Sequence, residues 1–229
     1  MKKLSVTTTF HERLWGLIYL ALQLLILPSL LVLCNLLFHL QLTDSKINFL
    51  FFALNFICVT VIFHRFLLDN GKNALRAPLF VMATTIGGYF LYTFFSSVVS
   101  ILIQGLYPDF FNVNDSYIST MVADDFKLMI VGTVFLVPIT EESLYRGLIF
   151  GSLYNRSRVL AYAVSTLAFA ALHVISYIGA YSPIHLLFCL LEYIPAGLIL
   201  GWAYARTDSL WTPILIHTLV NGIAVSVMR

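Results

Sequence analysis

Long stretches without charge constrain this chain more than any other feature. The first contains 30 residues, from Leu14 to Thr43, and includes no Asp, Glu, Lys or Arg. A helix needs about 20 mostly apolar residues to cross the hydrocarbon core of a bilayer. Over the whole chain, 60% of the residues are hydrophobic and 10% are charged, whereas soluble domains contain about 25% charged residues. The sequence therefore predicts a protein whose outer solvent is lipid.

Breaks that carry charge divide the chain into predicted membrane spans. These spans are 14–42, 47–68, 79–105, 127–151, 158–178, 184–206 and 210–228. We therefore predict an all-α polytopic membrane protein of about seven transmembrane helices, in which residues 1–229 form a single integral membrane domain. Residues 1–126 form its N-terminal spans, and residues 127–229 form the part that carries the polar groups. The first span lacks a small-residue cleavage site and is expected to be a retained anchor.

The distribution of basic residues predicts the orientation. Alternate connections divide the lysines and arginines into nine on one side (Lys2, Lys3, Arg13, Arg65, Lys72, Arg76, Arg156, Arg158, Arg206) and three on the other (Lys46, Lys127, Arg229). Cytoplasmic loops carry the excess of Lys and Arg, so the N-terminus is predicted to be cytoplasmic. The acidic connection 106–126 then faces outward. A net charge of +2 from dispersed residues does not favour a nucleic-acid partner.

A cluster of charged residues lies within the fourth predicted span. Glu141, Glu142 and Arg146 occur there, although a charge in the middle of a bilayer costs about 2.5–3.5 kcal/mol on insertion scales. Glu142 and Arg146 are four residues apart, so they share one helical face and can pair. Glu141 is rotated by about 100° from Glu142 and lacks that partner. We therefore expect one anchored carboxylate and one free to react.

Two later spans each carry a polar pair at helical spacing. Phe169 and His173 are four residues apart, as are His217 and Asn221, so each pair points one way from its helix. A free carboxylate, two imidazoles and a carboxamide are sufficient to activate water and to stabilise an oxyanion. The pattern permits peptide hydrolysis without a covalent nucleophile.

These motifs resemble those of the CAAX-protease and bacteriocin-processing family, also called CPBP or Abi. The segments Glu141-Glu142-Ser-Leu-Tyr-Arg146, Phe169-Ala-Ala-Leu-His173 and His217-Thr-Leu-Val-Asn221 are similar to the EExxxR, FxxxH and HxxxN/D motifs of that family, in order. The resemblance covers about residues 130–225. Asp208 stands where we would expect glycine, and residues 1–126 match nothing beyond generic spans.

The resemblance implies an intramembrane endopeptidase and assigns its residues. Glu141 and His173 would activate water, and His217 and Asn221 would form the oxyanion site. Glu142, Arg146 and Phe169 would support them. The expected partners are a lipid bilayer and a peptide or protein substrate, either a hydrophobic peptide or a prenylated protein. The expected location is a prokaryotic cell membrane, and nothing in these residues identifies the substrate.

Several alternatives remain open at this stage. Zinc bound by Glu141, His173 and His217 is the alternative to a metal-free mechanism, because catalytic zinc commonly has three protein ligands; the lack of an HExxH helix favours the metal-free mechanism. A non-enzymatic immunity or transport-like protein could use the same polar cluster for binding or helix packing. His185 and Glu192 in the sixth span receive no assigned role. Gly197 and Gly201 predict a close helix approach.

Overall fold

The chain folds into a bundle of α-helices. The computed structural model describes residues 3–229, so Lys2, which enters the charge count above, lies outside the described residues. The helices are α1 (Phe10–Leu25), α2 (Leu27–Leu37), α3 (Asp44–Ile62), α4 (His64–Arg76), α5 (Pro78–Leu106), α6 (Val113–Asp124), α7 (Phe126–Tyr154), α8 (Arg158–Ile175), α9 (Pro183–Thr207) and α10 (Trp211–Val227). Within residues 3–229 the only β-structure is an isolated bridge between Ile178 and Tyr181.

The helices have the length and surface of membrane spans. Helices α3, α5, α7, α8 and α9 are each long and apolar enough to cross a bilayer. Large apolar side chains such as Phe90 and Ile101 on α5 are mostly exposed, as expected where lipid is the solvent. The protein is therefore a polytopic α-helical membrane protein, as the sequence predicts.

The first predicted span is bent. Helices α1 and α2 meet at an angle of 50°, and together they qualify as one broken span. Pro28 in the first turn of α2 explains the break, because proline has no backbone N–H and clashes with the preceding turn. Helix α10 has 17 residues and is shorter than the other spans. Five or six helices thus qualify by length and composition, and the number seven remains a prediction.

The second predicted span ends earlier than expected. Helix α3 ends at Ile62, and α4 begins at His64 after the fully buried Phe63. Helix α4 buries Phe66 and Leu67 and exposes its basic residues Arg65, Lys72 and Arg76. This polar, amphipathic composition explains why the chain forms a separate helix instead of extending the span to residue 68.

The segments that join the helices contact one another in two groups, one at each end of the bundle. The extended segment 3–9, which we call the N-terminal strap, is held at Leu4 by Asn155, which accepts from the Leu4 N–H at 2.9 Å and donates to its carbonyl at 3.1 Å. Asp208 accepts from the Ser5 N–H, and its carbonyl accepts from Asn73. At the other end, Ser45 donates to Asp124. This grouping matches the alternation of connections used to predict the orientation, but which end is cytoplasmic remains a prediction.

Helix α7 lies at the centre of the C-terminal part and contacts α8, α9 and α10. The close approach predicted at Gly197 is present between α8 and α9. A Cβ atom at Gly197 would lie 2.5 Å from Thr166 Cγ2, so only glycine fits there without displacement. The backbone carbonyls of α9 can therefore come near the charged residues of α7.

Helix α6 was not predicted. The sequence indicates only an acidic connection over residues 106–126, but Val113–Asp124 is helical and buries Val113, Met121 and Val122. Asn112 caps the helix by accepting from the N–H groups of Asn114 and Asp115, which is a common N-terminal arrangement. This helix lies over the cavity described below.

Candidate active site

The two glutamates lie between two irregular stretches of α7. Residues Ile130–Leu136 and Ser143–Phe150 adopt π-helical geometry, and Val137–Glu142 between them is α-helical and includes Pro138. Segments of π-helix are rare and occur frequently at functional sites. The wider turns change which residues face the neighbouring helices, so the face occupied by Glu141 and Glu142 does not follow from a regular α-helical count.

Glu142 lies at the centre of a buried charge network. Its Oε1 accepts from Arg146 Nη1 at 3.0 Å, and it lies 2.9 Å from His217 Nδ1. Both Glu142 and Arg146 are fully buried. Arg146 Nη2 also donates to the carbonyls of Ala196 and Gly197, at 3.4 Å each. The i, i+4 pair is therefore present as its spacing predicts.

The contact with His217 goes beyond the predicted pair. The sequence treats Glu142 as the partner of Arg146, whereas the structure also joins it to a residue 75 positions later. When Nδ1–H of His217 donates to this carboxylate, Nε2 can donate only if the ring is imidazolium. The Glu142 carboxylate therefore fixes the orientation of the His217 ring.

An aromatic residue separates the arginine from the histidines. The Phe169 ring lies under the Arg146 guanidinium at 4.3 Å. The same ring lies 4.7 Å from the His173 ring and 6.0 Å from the His217 ring, centroid to centroid. Phe169 is buried, so it excludes water from the network and fixes the distance between its neighbours. The supporting role that the motif resemblance implies for Phe169 stays a prediction.

Glu141 differs from Glu142 in its surroundings. Its Oε2 is buried, and no described residue forms a hydrogen bond with it. The side chain faces a cavity of about 600 Å³ that is also lined by His173, His217 and Asn221. A buried carboxylate oxygen without a partner is unusual in a folded protein and calls for a ligand or a task. The four residues to which the sequence assigns chemistry thus share one cavity.

His173 has a defined tautomer and a defined orientation. Its Nδ1 lies 2.9 Å from the Phe169 carbonyl oxygen, which can only accept, so Nδ1 carries the proton and Nε2 has the free lone pair. The ring stacks on Tyr193 with centroids 4.1 Å apart and planes 22° apart. Contacts with Phe169 and Tyr193 therefore limit rotation of the imidazole.

Tyr193 is a site residue that the sequence analysis missed. Its hydroxyl contacts Asn112, Asn114 and Asp115 at 3.0–3.2 Å. Because its ring also stacks on His173, Tyr193 connects the start of α6 to the His173 imidazole. Aromatic residues are abundant here, with 12 tyrosines in the chain. No feature of the sequence distinguishes this tyrosine from those that pack against lipid or protein.

Asn221 uses half of its donor capacity within the protein. Its Nδ2 donates to the Thr133 carbonyl at 2.9 Å, which fixes the carboxamide against α7. A carboxamide nitrogen carries two N–H groups, so one remains for another acceptor. Asn221 lines the cavity, where this second group is available to a bound molecule.

The possible zinc ligands do not form a cluster. Within residues 3–229, no group of three or more His, Cys, Asp or Glu side chains is arranged to hold a metal ion. His217 Nδ1 faces Glu142, and His173 Nδ1 faces a backbone carbonyl. Glu141, His173 and His217 therefore provide no preformed three-ligand site of the kind that catalytic zinc uses.

His185 and Glu192 hold the connection before α6 against α9. The Phe111 carbonyl lies 3.0 Å from His185 Nε2, and Glu192 Oε2 accepts from Asn112 at 2.8 Å. Neither side chain lines the cavity. These contacts satisfy two polar groups that the sequence left without a role.

Comparison with known proteins places this site in a family. Residues 124–223 match the family model described as type II CAAX prenyl endopeptidase Rce1-like. The match includes Glu141, Glu142, Arg146, His173 and both residues of the last motif. This region of the chain is similar to the CAAX-protease (CPBP) family. The motif resemblance stated above is therefore confirmed at the level of the family.

Three bacterial proteins are similar to this chain at modest identity. The membrane-embedded CAAX protease MroQ of Staphylococcus aureus is 26% identical over 142 residues, covering 60% of this chain and 54% of the relative. YdiL of Bacillus subtilis, named provisionally as a membrane peptidase, is 32% identical over 99 residues, or 43% of this chain and 36% of the relative. The UPF0177 protein YxdF of Lactococcus lactis is 30% identical over 86 residues, or 38% of this chain and 42% of the relative.

The chain thus spans about half or less of the length of these curated relatives. No solved structure matches it.

Proposed function

We propose that this chain is an intramembrane endopeptidase of the CPBP family, which hydrolyses a peptide bond with water activated by Glu141 and His173. The observation that carries the proposal is the contrast between two adjacent carboxylates. The Oε1 of Glu142 is bonded to Arg146 and His217, and its Oε2, like the Oε2 of Glu141, is buried without a described partner. Of the two carboxylates, Glu141 alone faces the cavity, which it shares with two histidines and an asparagine.

Glu141 acts as the general base in this proposal. A water in the cavity donates one proton to Glu141, and its oxygen attacks the carbonyl carbon of the scissile bond. His173 accepts a hydrogen bond from this water at Nε2, the nitrogen left free by the contact with the Phe169 carbonyl. As the C–N bond breaks, the proton taken by Glu141 passes through His173 to the leaving nitrogen. The products are a carboxylate and an amine.

His217 and Asn221 stabilise the tetrahedral oxyanion. Asn221 has one N–H free after its bond to Thr133. His217 donates from Nε2, while the Glu142 carboxylate holds the opposite nitrogen at 2.9 Å. Donors held in place before the reaction stabilise the developing charge without reorganisation, which is commonly the largest contribution to such catalysis.

The proposed mechanism is metal-free. It rests on the presence of a base, an orienting imidazole and two oxyanion donors around one cavity, and on the lack of a three-ligand cluster among the described residues. Activity in the presence of a chelator such as EDTA should equal activity without it, and loss of activity that zinc restores would overturn this part of the proposal.

The proposed substrates are hydrophobic or membrane-associated peptides, including prenylated proteins. Support comes from the cavity, whose walls include Leu24, Leu31, Phe51 and Ile118 beside the polar residues. A cavity of this kind admits a single extended chain and excludes folded domains. The family description names CAAX prenyl endopeptidases, so a farnesylated CAAX peptide is the first probe to use.

A non-enzymatic role in immunity or transport is the competing proposal, because the network of Glu142, Arg146 and His217 could serve packing alone. Packing does not explain Glu141, which lines the cavity and has a buried oxygen that no group of that network reaches. A packing role therefore predicts that Glu141→Gln leaves the function of the protein unchanged, whereas a catalytic role predicts that this variant loses its activity.

The test uses the purified protein in liposomes with an internally quenched farnesylated CAAX peptide. Glu141→Gln keeps the size of the side chain and removes the base, so cleavage should fall by 100-fold or more while abundance and melting stay at wild-type values. His173→Ala should behave similarly. A parallel comparison of peptides released from membranes with wild-type or Glu141→Gln protein extends the test to substrates that are not prenylated. Equal cleavage by wild type and Glu141→Gln would refute the assignment.

A further inference from the structure

A small chamber lies beside Glu141, on the side of the N-terminal helices. Its volume is about 40 Å³, and its walls come from α1, α3, α7 and α8. Most of the lining residues also line the main cavity, and the exceptions, Asn55 and Thr140, mark its far end. A space that holds one water needs about 10–15 Å³ by this kind of measure. The chamber is therefore an extension of the main cavity with room for a few water molecules at most.

Gln23 of α1 is the unexplained polar group of this chamber. Its side chain is 5% exposed, and it lies on the inner face of α1 together with Tyr19 and Gly16. No described residue forms a hydrogen bond with its amide, although it lines both the chamber and the main cavity with Glu141. The amide faces open space in the chamber and the cavity, where a bound molecule can both donate to it and accept from it.

The other polar groups of the chamber are arranged differently. Asn55 is already bonded, because its Oδ1 accepts from Tyr19 at 2.7 Å and its Nδ2 donates to the Phe51 carbonyl at 2.8 Å. The Thr140 hydroxyl donates to the Leu136 carbonyl at 3.0 Å, so its lone pairs remain free to accept. Gln23, Thr140 and Glu141 are thus available to a bound molecule, as is the second N–H of Asn55.

We propose that this chamber is a water-binding site, in which Gln23 holds the water molecule that Glu141 activates. A bound water accepts a hydrogen bond from the Gln23 amide and donates one hydrogen to the free Oε2 of Glu141. Thr140 accepts its second hydrogen at rest, and His173 Nε2 accepts that hydrogen when the water attacks. Three hydrogen bonds are typical of a buried water. This inference rests on the proposed peptidase function and names Gln23 as a positioning residue for it.

The need for such a site follows from the position of the substrate. A peptide bond that reaches His217 and Asn221 must occupy the main cavity, where it displaces solvent. Water must then reach Glu141 from another side, and the chamber opens onto Glu141 from α1 and α3. These helices precede the region that matches the family, residues 124–223. The N-terminal half thus contributes a group to the reaction beyond forming the cavity wall.

The main experiment compares Gln23→Leu with wild type in liposomes, again with the internally quenched farnesylated CAAX peptide. Losing the hydrogen bond that orients the water should lower kcat by about tenfold or more. Gln23→Asn retains an amide on a shorter stem and should recover part of the loss. Gln104→Leu is the matched control, because Gln104 lies exposed on α5, and it should cleave as wild type does.

Three cleavage rates, measured together, separate this proposal from the proposed function. If wild type cleaves the peptide, Glu141→Gln does not, and Gln23→Leu equals wild type in kcat, the water site is refuted while the peptidase stands. If Gln23→Leu melts well below wild type, its lower cleavage rate reflects a folding defect. Gln23→Asn then decides, because the water site predicts that this variant recovers part of the lost kcat, and no recovery refutes the site.

A structure at a resolution that reveals waters gives a readout independent of activity. Density within hydrogen-bonding distance of both Gln23 and Glu141, present in wild type and absent in Gln23→Leu, supports the proposal, and its absence in wild type overturns it.

Discussion

The C-terminal helices and the N-terminal helices use similar composition in different ways. In α7 and α9, half of the most apolar 18-residue window is buried within the protein, against 17% in α3 and 11% in α5. The apolar residues of α3 and α5 therefore face mainly lipid, whereas those of α7 and α9 pack around Glu142 and Arg146. The matched family region, residues 124–223, coincides with the buried helices.

This difference shows at which positions packing restricts the choice of amino acid. A side chain that faces lipid needs only to be apolar, because lipid tails adapt to its shape. A side chain that packs against a buried ion pair must fit in size, polarity and position. We therefore expect changes in the C-terminal helices to affect folding and chemistry strongly, and most changes in the N-terminal helices to be mild, with Gln23 as the exception proposed above.

The largest effect should come from breaking the buried pair. Arg146→Ala leaves Glu142 as an uncompensated buried charge, a defect that typically costs about 3–5 kcal/mol, so both melting temperature and activity should fall. The double variant Glu142→Gln with Arg146→Met removes both charges and should melt above Arg146→Ala, although the loss of the His217 partner keeps activity low. Melting in detergent tests this, with Glu141→Gln as the control. Equal melting of Arg146→Ala and Glu141→Gln would show that the two carboxylates do not differ as described.

A smaller effect, confined to catalysis, should come from the oxyanion donors. Asn221→Ala removes one N–H from the cavity and should lower kcat by about 100-fold, the usual consequence of losing one such donor. Because its other N–H is bonded to the Thr133 carbonyl on α7, a modest loss of stability should accompany the change. Kinetics together with melting separate the two effects, and an unchanged kcat would remove Asn221 from the oxyanion site.

Tyr193 should show an intermediate effect that depends on its ring. Tyr193→Leu removes the surface on which His173 stacks and should lower kcat by about tenfold, because a mispositioned imidazole transfers protons less efficiently. Tyr193→Phe keeps the ring and loses only the hydroxyl contacts with Asn112, Asn114 and Asp115, so it should retain most of the activity. If the two variants lose equal activity, the attachment to α6 matters more than the stacking.

The smallest effect should occur at the periphery of the N-terminal half. The hydroxyl of Ser45 lowers the pKa of the Asp124 carboxyl below its ordinary value of 3.8. A lowered carboxyl pKa contributes stability that is present above the ordinary pKa and is lost as the pH falls through the lowered one. Ser45→Ala should therefore weaken the dependence of melting on pH between about 5 and 2, without affecting cleavage at neutral pH. If the melting temperatures of the two proteins change with pH in the same way across this range, the prediction is wrong.

The sequence predicts the helices and the polar motifs for physical reasons. Apolar runs interrupted by charge identify segments that can cross a bilayer, and the spacing of four residues places Glu142 beside Arg146. The family resemblance extends this to the residues that line one cavity. What periodicity cannot provide is the contact between helices, so the bond from Glu142 to His217, 75 residues away, was not predicted.

Other features could not be predicted from the composition of their segments. Helix α6 contains asparagine, aspartate and serine at its start, which is typical of a connection, and its docking depends on tertiary contacts with Tyr193 and Glu192. The bend between α1 and α2 follows from Pro28, but the sequence alone did not separate a bent span from a straight one. The number of spans depends on α10, whose 17 residues lie at the lower limit for crossing a bilayer.

The N-terminal strap implies an order of events during biosynthesis. Leu4 is bonded to Asn155, and Ser5 is bonded to Asp208, so residues near the start of the chain are fixed by groups that are synthesised 151 and 203 residues later. Domains form from the N-terminus as the ribosome advances, yet this segment can reach its final position only when α9 and the loop after it have emerged. A segment that is made before these partners is thus among the last to settle, and a nascent chain that stops before residue 208 leaves it without its second anchor.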